Sequence, residues 1–222
     1  MIYFLGQSHA ATHLRAAAVK RRLVMAESID AAHVVFVSED TPTDTQGNRG
    51  LERIISLVKA AATTKAQIVL TSQVPPGFTR SISVKLGIPN IFHQPETLRI
   101  LDADFRALHP EYIVVGGPGK ISHTYAEYLA AFECVILRMS WEEAEFSKIA
   151  VNMFLAAQVD TTNRLAAAAA KVGADWNYVA NALKHDQRIG QHAYLTSGRW
   201  QDSKHLLRDS VTLTEIEHEP YH

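Results

Sequence analysis

Four short segments of this 222-residue chain hold residue types that could do chemistry. The first is Gly6-Gln-Ser-His-Ala-Ala11, which follows an apolar run and opens a helix. A dinucleotide fingerprint stands at such a corner as G-x-G-x-x-G/A. Its glycines let the backbone approach a pyrophosphate, and the helix amino terminus supplies dipole and free N–H groups. Gly6 and Ala11 fit that pattern, but Ser8 holds the middle position, where its Cβ would crowd a phosphate. The ribose-reading acid should end a second strand about 20 residues on. Glu27 lies near that distance with no convincing strand before it. A plain strand-turn-helix corner explains the segment equally well. The second segment is Thr71-Ser-Gln-Val-Pro-Pro-Gly-Phe-Thr79. Pro75 and Pro76 stiffen the backbone and start a helix. A rigid loop after a parallel strand is where α/β proteins hold ligands, although a stiff connection reads the same way.

The third segment, Gln94-Pro-Glu-Thr-Leu-Arg99, offers Glu96 as a base or clamp. The fourth places Glu145, Lys148 and Asn152 at +3 and +4 spacing on one helix face. Lys beside Asn could orient a water or stabilise an oxyanion. The bland alternative is a solvated stripe with a Glu–Lys pair contributing a few tenths of a kcal/mol. His9 and His13 are also i,i+4, but no carboxylate is near them in sequence, so no metal is expected.

These segments need a framework. Residues 2–5, 34–37, 67–70, 90–92, 112–115 and 134–137 form short apolar runs rich in β-branched residues. They read as parallel strands buried on both faces. Helices are expected near 10–23, 50–62, 78–86 and 121–131, which gives an α/β sheet with right-handed crossovers. At Ser140 the character changes. Ser140-Trp-Glu-Glu143 is a capping box, and no proline follows until beyond Asp209. The helix it opens should run to about 172 and stop at Gly173. Some 32 residues at ~1.5 Å each span about 48 Å, long enough to link domains or form an oligomer interface. A helix over 175–184, a loop over 190–203 and a last helix over 204–216 follow, with a polar, frayed tail at 217–222.

Composition limits the remaining choices. Lys plus Arg number 22 against 23 Asp plus Glu, a net charge of −1, which argues against a protein that coats nucleic acid or acidic membranes. The single cysteine, Cys134, excludes an internal disulfide and a Cys-rich zinc site and fits a reducing cytoplasm. No apolar stretch reaches the ~18–20 residues that span a bilayer, and the start reads as a buried strand, not a signal peptide.

In this order the motifs resemble the UDP-glucose and GDP-mannose (nucleotide-sugar) 6-dehydrogenase family. The likeness runs through 68–79, 94–99 and 108–116. It is strongest in Glu143-Ala-Glu-Phe-Ser-Lys148 with Asn152, and it continues through Val172-Gly-Ala-Asp175 and Asp186-Gln-Arg-Ile-Gly190. The resemblance implies an NAD-dependent enzyme of polysaccharide precursor synthesis that oxidises a sugar alcohol twice, to a uronate. It implies catalytic roles for Lys148, Asn152, Asp209 and Glu96. It implies cofactor contacts at Gly6, Ser8, Ala11, Ser72, Val74 and Pro75, and substrate contacts at Leu98, Arg99 and Arg188, the last across a homodimer interface. Departures accompany it. Asp202-Ser-Lys-His-Leu-Leu-Arg-Asp209 stands where the family has G-G-x-C-x-P-K-D, so His205 takes the place of the nucleophilic cysteine. An imidazole does not replace a thiolate in trapping an aldehyde as an acyl intermediate. Gln73 and Ile100 replace an expected threonine and acid, a strand-helix unit is missing before Val34, and the family's C-terminal domain does not follow.

The expected architecture is a reduced Rossmann-like domain over 1–139 and an all-helical dimerisation domain over 140–222. The expected ligand is a nucleotide sugar, with no nucleic-acid or membrane partner. The two-step oxidation is not expected of this chain alone. The alternative is a catalytically inactive binding or assembly homologue, paired with itself or with a chain that supplies the missing domain.

Overall fold

The computed structural model describes residues 1–218. The chain divides into two compact units, Met1–Pro42 with Arg49–Lys148, and Thr43–Asn48 with residues from Ile149 onward.

The first unit is built on a six-stranded sheet in the order β1-β2-β3-β4-β5-β6. Its strands are β1 (Ile2–Leu5), β2 (Val34–Val37), β3 (Gln67–Leu70), β4 (Ile91–His93), β5 (Tyr112–Gly116) and β6 (Val135–Met139). Its helices are α1 (His9–Lys20), α2 (Glu52–Ala62), α3 (Phe78–Leu86), α4 (Ala103–Leu108) and α5 (His123–Ala130). The strand residues split by their two-residue period into two cores. Phe4, Val34, Phe36, Val69 and Phe92 pack with Leu14 of α1 and with Tyr125, Tyr128 and Leu129 of α5. Val35, Val37, Ile68, Leu70 and Ile91 pack with Ile54, Leu57 and Val58 of α2 and Ile82 of α3. Full burial of a residue such as Phe36 contributes about 1.5–3 kcal/mol, and it is why these strands read as unbroken apolar runs.

Strands β1 to β4 are parallel and sequential. Right-handed crossovers between sequential strands would put every helix on one face, yet α1 lies on the face opposite α2 and α3. Met25 is the reason. After α1 the chain makes a single parallel bridge, Met25 to Ile2, on the outer side of β1. The Ile2 N–H donates to Val24 O at 2.9 Å and the Ala26 N–H to Ile2 O at 2.8 Å. The chain then passes the start of β1, where the His33 N–H donates to Met1 O at 3.0 Å, and enters β2 on the other side. One rung remains of the strand missing from the sequence, and the winding reversal survives between β1 and β2.

The expectation of an all-parallel sheet is corrected at β5. It meets β4 through one antiparallel bridge, His93 to Gly116, and pairs in parallel with β6 over five residues. The link from β4 carries α4, a helix the sequence reading did not foresee. At six residues it extends only ~9 Å. It does not return the chain along the sheet, so β5 starts near the end of β4 and runs back.

Helix α6 (Trp141–Lys171) begins in the first unit behind the capping box. The Ser140 N–H donates to Glu143 Oε2 at 2.6 Å, and the Glu143 N–H to Ser140 Oγ at 3.3 Å. Gly173, at φ +75°, follows its end. The rest of α6 belongs to the second unit with α7 (Trp176–His185) and α8 (Lys204–His218). The 186–203 loop is tied to α6. Thr162 Oγ1 donates to Tyr194 O, Gln158 Oε1 accepts from the Tyr194 N–H, and Asn163 exchanges two hydrogen bonds with the Gly198 backbone. Residues 219–222 of the expected frayed tail lie outside the described residues; residues 217 and 218 are helical. No helix among the described residues is long and apolar enough to cross a membrane.

Candidate functional site

At the β1–α1 corner, next to the winding reversal, Gly6 has φ +115°, and a Cβ there would stand 2.2 Å from Ser38 O. Only glycine makes this turn. Ser8 is buried and caps α1, its Oγ accepting from the Ala11 N–H at 2.9 Å. The same oxygen lies 2.9 Å from Ser38 Oγ and donates to Ser38 O at 3.1 Å. The hydroxyl therefore takes the amide that would receive a phosphate oxygen and joins the two loops between which a pyrophosphate would lie. Ala11 is buried against the sheet. Glu27 is exposed where the chain leaves the Met25 rung.

In the β3–α3 loop, Ser72 is buried and its Oγ accepts from the Glu39 N–H at 2.8 Å. Val74 is buried in the second core and Pro75 is half-buried. Pro75-Pro-Gly77 brings no capping side chain of its own to α3. Glu145 supplies it. Its carboxylate, 1% exposed, accepts from the Gly77 N–H at 2.6 Å and the Thr79 N–H at 2.7 Å. Burial pushes the Glu145 pKa up, opposed by these hydrogen bonds. The solvated-stripe alternative fails at this residue. The one sequence hint was a helix start with no capping residue.

After β4, the half-buried Glu96 folds back on its own loop and accepts from the Leu98 N–H at 2.7 Å. Leu98 packs at the edge of the first core. Arg99 is exposed and bonds Asp102 through Nε at 3.2 Å and Nη2 at 2.5 Å. Glu96, Leu98, Tyr112 and Tyr128 line a hollow of about 40 Å³ that can hold water.

In the second unit, α6 and α8 bring together two candidates 57 residues apart. Asn152 Nδ2 donates to Asp209 Oδ2 at 2.6 Å. Asp209 is fully buried, and so nearly are Asn152 and Arg208. Arg208 Nε lies 3.9 Å from Asp209 Oδ1, so the buried anion has a cation beside it. Lys148, the last residue of the first unit, is half-buried on α6 and makes no hydrogen bond or ion pair with a described residue. His205 is exposed on the first turn of α8. Cys134 precedes β6, and burial raises its thiol pKa, which suits a packed side chain and not a nucleophile. Arg188 is exposed and folds onto Asp186, donating to it from Nε at 3.0 Å and Nη2 at 2.6 Å; this holds the Asp186 carboxyl below its usual range.

A Rossmann-like sheet with a long following helix is the fold of nucleotide-sugar dehydrogenases. The chain aligns over 97% of its length with a UDP-glucose dehydrogenase structure from Pyrobaculum islandicum at TM-score 0.77 and 22% identity, covering 64% of that chain. It aligns over its full length with a UDP-D-ManNAc dehydrogenase structure from Pyrococcus horikoshii at TM-score 0.77 and 16% identity, covering 66% of that chain. Residues 142–220 match the central domain of the UDP-glucose/GDP-mannose dehydrogenase family. The UDP-glucose 6-dehydrogenase of Pseudomonas aeruginosa is 30% identical over 188 residues, 76% of this chain and 41% of that protein. Bacillus subtilis UDP-glucose 6-dehydrogenase YwqF is 29% identical over 197 residues, 83% of this chain and 44% of that protein. By its central domain the chain belongs to the UDP-glucose/GDP-mannose dehydrogenase family. It spans about two fifths of the length of these curated relatives.

The residues at the β1–α1 corner do not fit NAD in the manner that the resemblance implies. The Ser8 hydroxyl takes the amide that a pyrophosphate oxygen would use, and the strand that would position a ribose-binding acid is reduced to the single Met25 rung, with Glu27 exposed beyond it.

Proposed function

We propose that this chain is a nucleotide-sugar dehydrogenase-like protein that binds a UDP-sugar-type alcohol and does not complete its oxidation to a uronate. The buried Asn152–Asp209 pair carries this reading. Its 2.6 Å hydrogen bond fixes the Asn152 amide, and Lys148 one turn earlier on α6 has no competing partner among the described residues. An ammonium and an amide donor at that spacing suit charge developing on a substrate oxygen, and Asp209 orients Asn152. Glu96 is assigned to a water, and Leu98 and Arg99 to the ligand. Arg188 is assigned to the ligand across a homodimer formed along α6, whose Phe154 is 74% exposed. The exposed His205 at the nucleophile position supports an arrested second oxidation. NAD would be the hydride acceptor by resemblance, but no step is assigned to it at a corner it does not fit. The protein would work in the cytoplasm.

One observation favours the second reading, an inactive binding or assembly homologue that dimerises or joins another chain: the Ser8–Ser38 contact that closes the cradle. Calorimetric titration of the purified chain with UDP-glucose, UDP-N-acetylhexosamines and NAD⁺, followed by assays for NADH and uronate, separates the readings. The proposal expects saturable sugar-nucleotide binding, weakened at least tenfold in Lys148→Ala, and no uronate. Uronate formation by the chain alone would overturn it. Absence of any sugar-nucleotide binding would leave the assembly reading.

A further inference from the structure

The α1 helix carries a feature that the nucleotide-sugar reading does not use. His9 and His13, one turn apart, bring their Nε2 atoms within 3.0 Å of each other, their rings tilted by 59° with centroids 4.3 Å apart. A ring-nitrogen contact of this length holds one proton between the two Nε2 atoms. On the far side of His13, Nδ1 lies 2.7 Å from Asp104 Oδ1. An ionised carboxylate only accepts, so His13 Nδ1 is the donor and its Nε2 lone pair faces His9. Asp104 comes from α4, 91 residues away. This corrects the sequence expectation that no carboxylate attends the pair.

We propose that His9 and His13 form a two-nitrogen chelate for a late first-row divalent cation, Cu²⁺ or Ni²⁺ ahead of Zn²⁺, with Asp104 as the carboxylate that orients His13. Metal–imidazole bonds are about 2.0–2.1 Å long. Two nitrogens 3.0 Å apart then subtend about 91–97° at the metal. That is the cis angle of tetragonal or octahedral coordination, the geometry of Cu²⁺ and Ni²⁺. Tetrahedral Zn²⁺ would need the rings to open by a few tenths of an ångström. The metal takes the place of the shared proton, which moves to His9 Nδ1 so that both Nε2 atoms present lone pairs and both rings stay neutral. A carboxylate on the other ring nitrogen is the usual support of a metal-binding histidine; it fixes the tautomer and raises basicity. His9 is exposed, so water can fill the remaining positions. No described group of three or more ligating side chains gathers here, so the chelate is two-pointed and open. The amino end of α1 disfavours a cation through the helix dipole, and Asp104 supplies the compensating charge.

The test is titration of the full chain, free of any histidine tag, with Cu²⁺, Ni²⁺, Zn²⁺ and Mg²⁺ salts. Thermal unfolding and copper electron paramagnetic resonance provide the readouts. The expected result is a rise in Tm with Cu²⁺ and Ni²⁺, none with Mg²⁺, and one Cu²⁺ with a two-nitrogen hyperfine pattern. His9→Gln keeps a polar partner for His13 and should weaken Cu²⁺ binding at least tenfold. His13→Ala should do the same, and Asp104→Asn should weaken it about tenfold. The chain has eleven histidines. Unchanged affinity and spectrum in His9→Gln and His13→Ala would place the copper on other histidines and overturn the proposal, as would failure of the parent chain to bind Cu²⁺ or Ni²⁺.

Discussion

Replacing Glu145 by alanine should destabilise the first unit by about 2 kcal/mol. Two amides, those of Gly77 and Thr79, lose their acceptor. Each donor left unsatisfied out of water costs about 1–3 kcal/mol. Relief of the buried carboxylate's desolvation offsets part of that loss. With a urea m-value of about 1–3 kcal/mol/M, the unfolding midpoint should fall by about 1 M. Glu145→Gln keeps one acceptor and should lose about half as much. Its pH dependence carries a sign. Burial raises the folded pKa above the usual 4.5, so the folded protein holds this proton more tightly than the unfolded chain. The contribution of the acid is therefore fully present below pH 4.5 and declines as the pH rises through the window above it. Glutamine does not titrate, so the advantage of the parent chain over Glu145→Gln should be larger near pH 4.5 than at neutrality. Urea unfolding of both proteins across that range is the assay. An advantage that grows toward neutrality would refute the reasoning, because the two amides would then outweigh burial and hold the anion.

Burial depresses the His93 pKa from 6.5 to about 3, so unfolding takes up a proton between those values. Stability should fall on acidification through that window by up to about 1.4 kcal/mol per pH unit, and His93→Gln should flatten the slope in urea unfolding. Asp209→Ala removes the acceptor of Asn152 and the carboxylate beside the buried Arg208 and should cost about 3 kcal/mol by thermal unfolding, with Asp209→Asn milder. Lys148→Ala should change stability by less than about 0.5 kcal/mol while weakening sugar-nucleotide binding; a large drop in Tm would mark the lysine as structural. Gly6→Ala should cost at least about 3 kcal/mol in chemical denaturation, because its Cβ meets Ser38 O at 2.2 Å and its φ is +115°. A parent-like midpoint would mean that the corner relaxes.

Much of the sheet was legible because burial on both faces leaves strands as short, unmixed apolar runs. The 34–37 and 67–70 runs match β2 and β3 residue for residue. The start and stop of α6 were legible because a capping box and a glycine are local chemistry. Strand direction was not. The reversal at β5 depends on where an 18-residue link returns its chain, and no residue in that link encodes this by type. Helix α4 is too short to show a helical period. At the candidate site, each element carried one partner and hid the other. Ser8 needs Ser38, Glu145 needs Gly77, and His13 needs Asp104; in every case the second residue arrives from another element. Asn152 and Asp209 were each singled out through the order of motifs, but their contact was not, because a separation of 57 residues has no periodicity to read.

The single rung at Met25 also bears on how the sheet is assembled. In a doubly wound sheet with two full halves, the first strand sits in the middle and holds an open edge until the later half is made. Here the partner on the outer side of β1 is one residue wide and is supplied before β2 begins. Each later strand then joins the one synthesised immediately before it, through to β6. The sheet can grow in the direction of translation, each nascent strand adding to an edge already formed. Neighbours close in sequence keep contact order low for an α/β domain and shorten the time that an unpaired edge is exposed to aggregation.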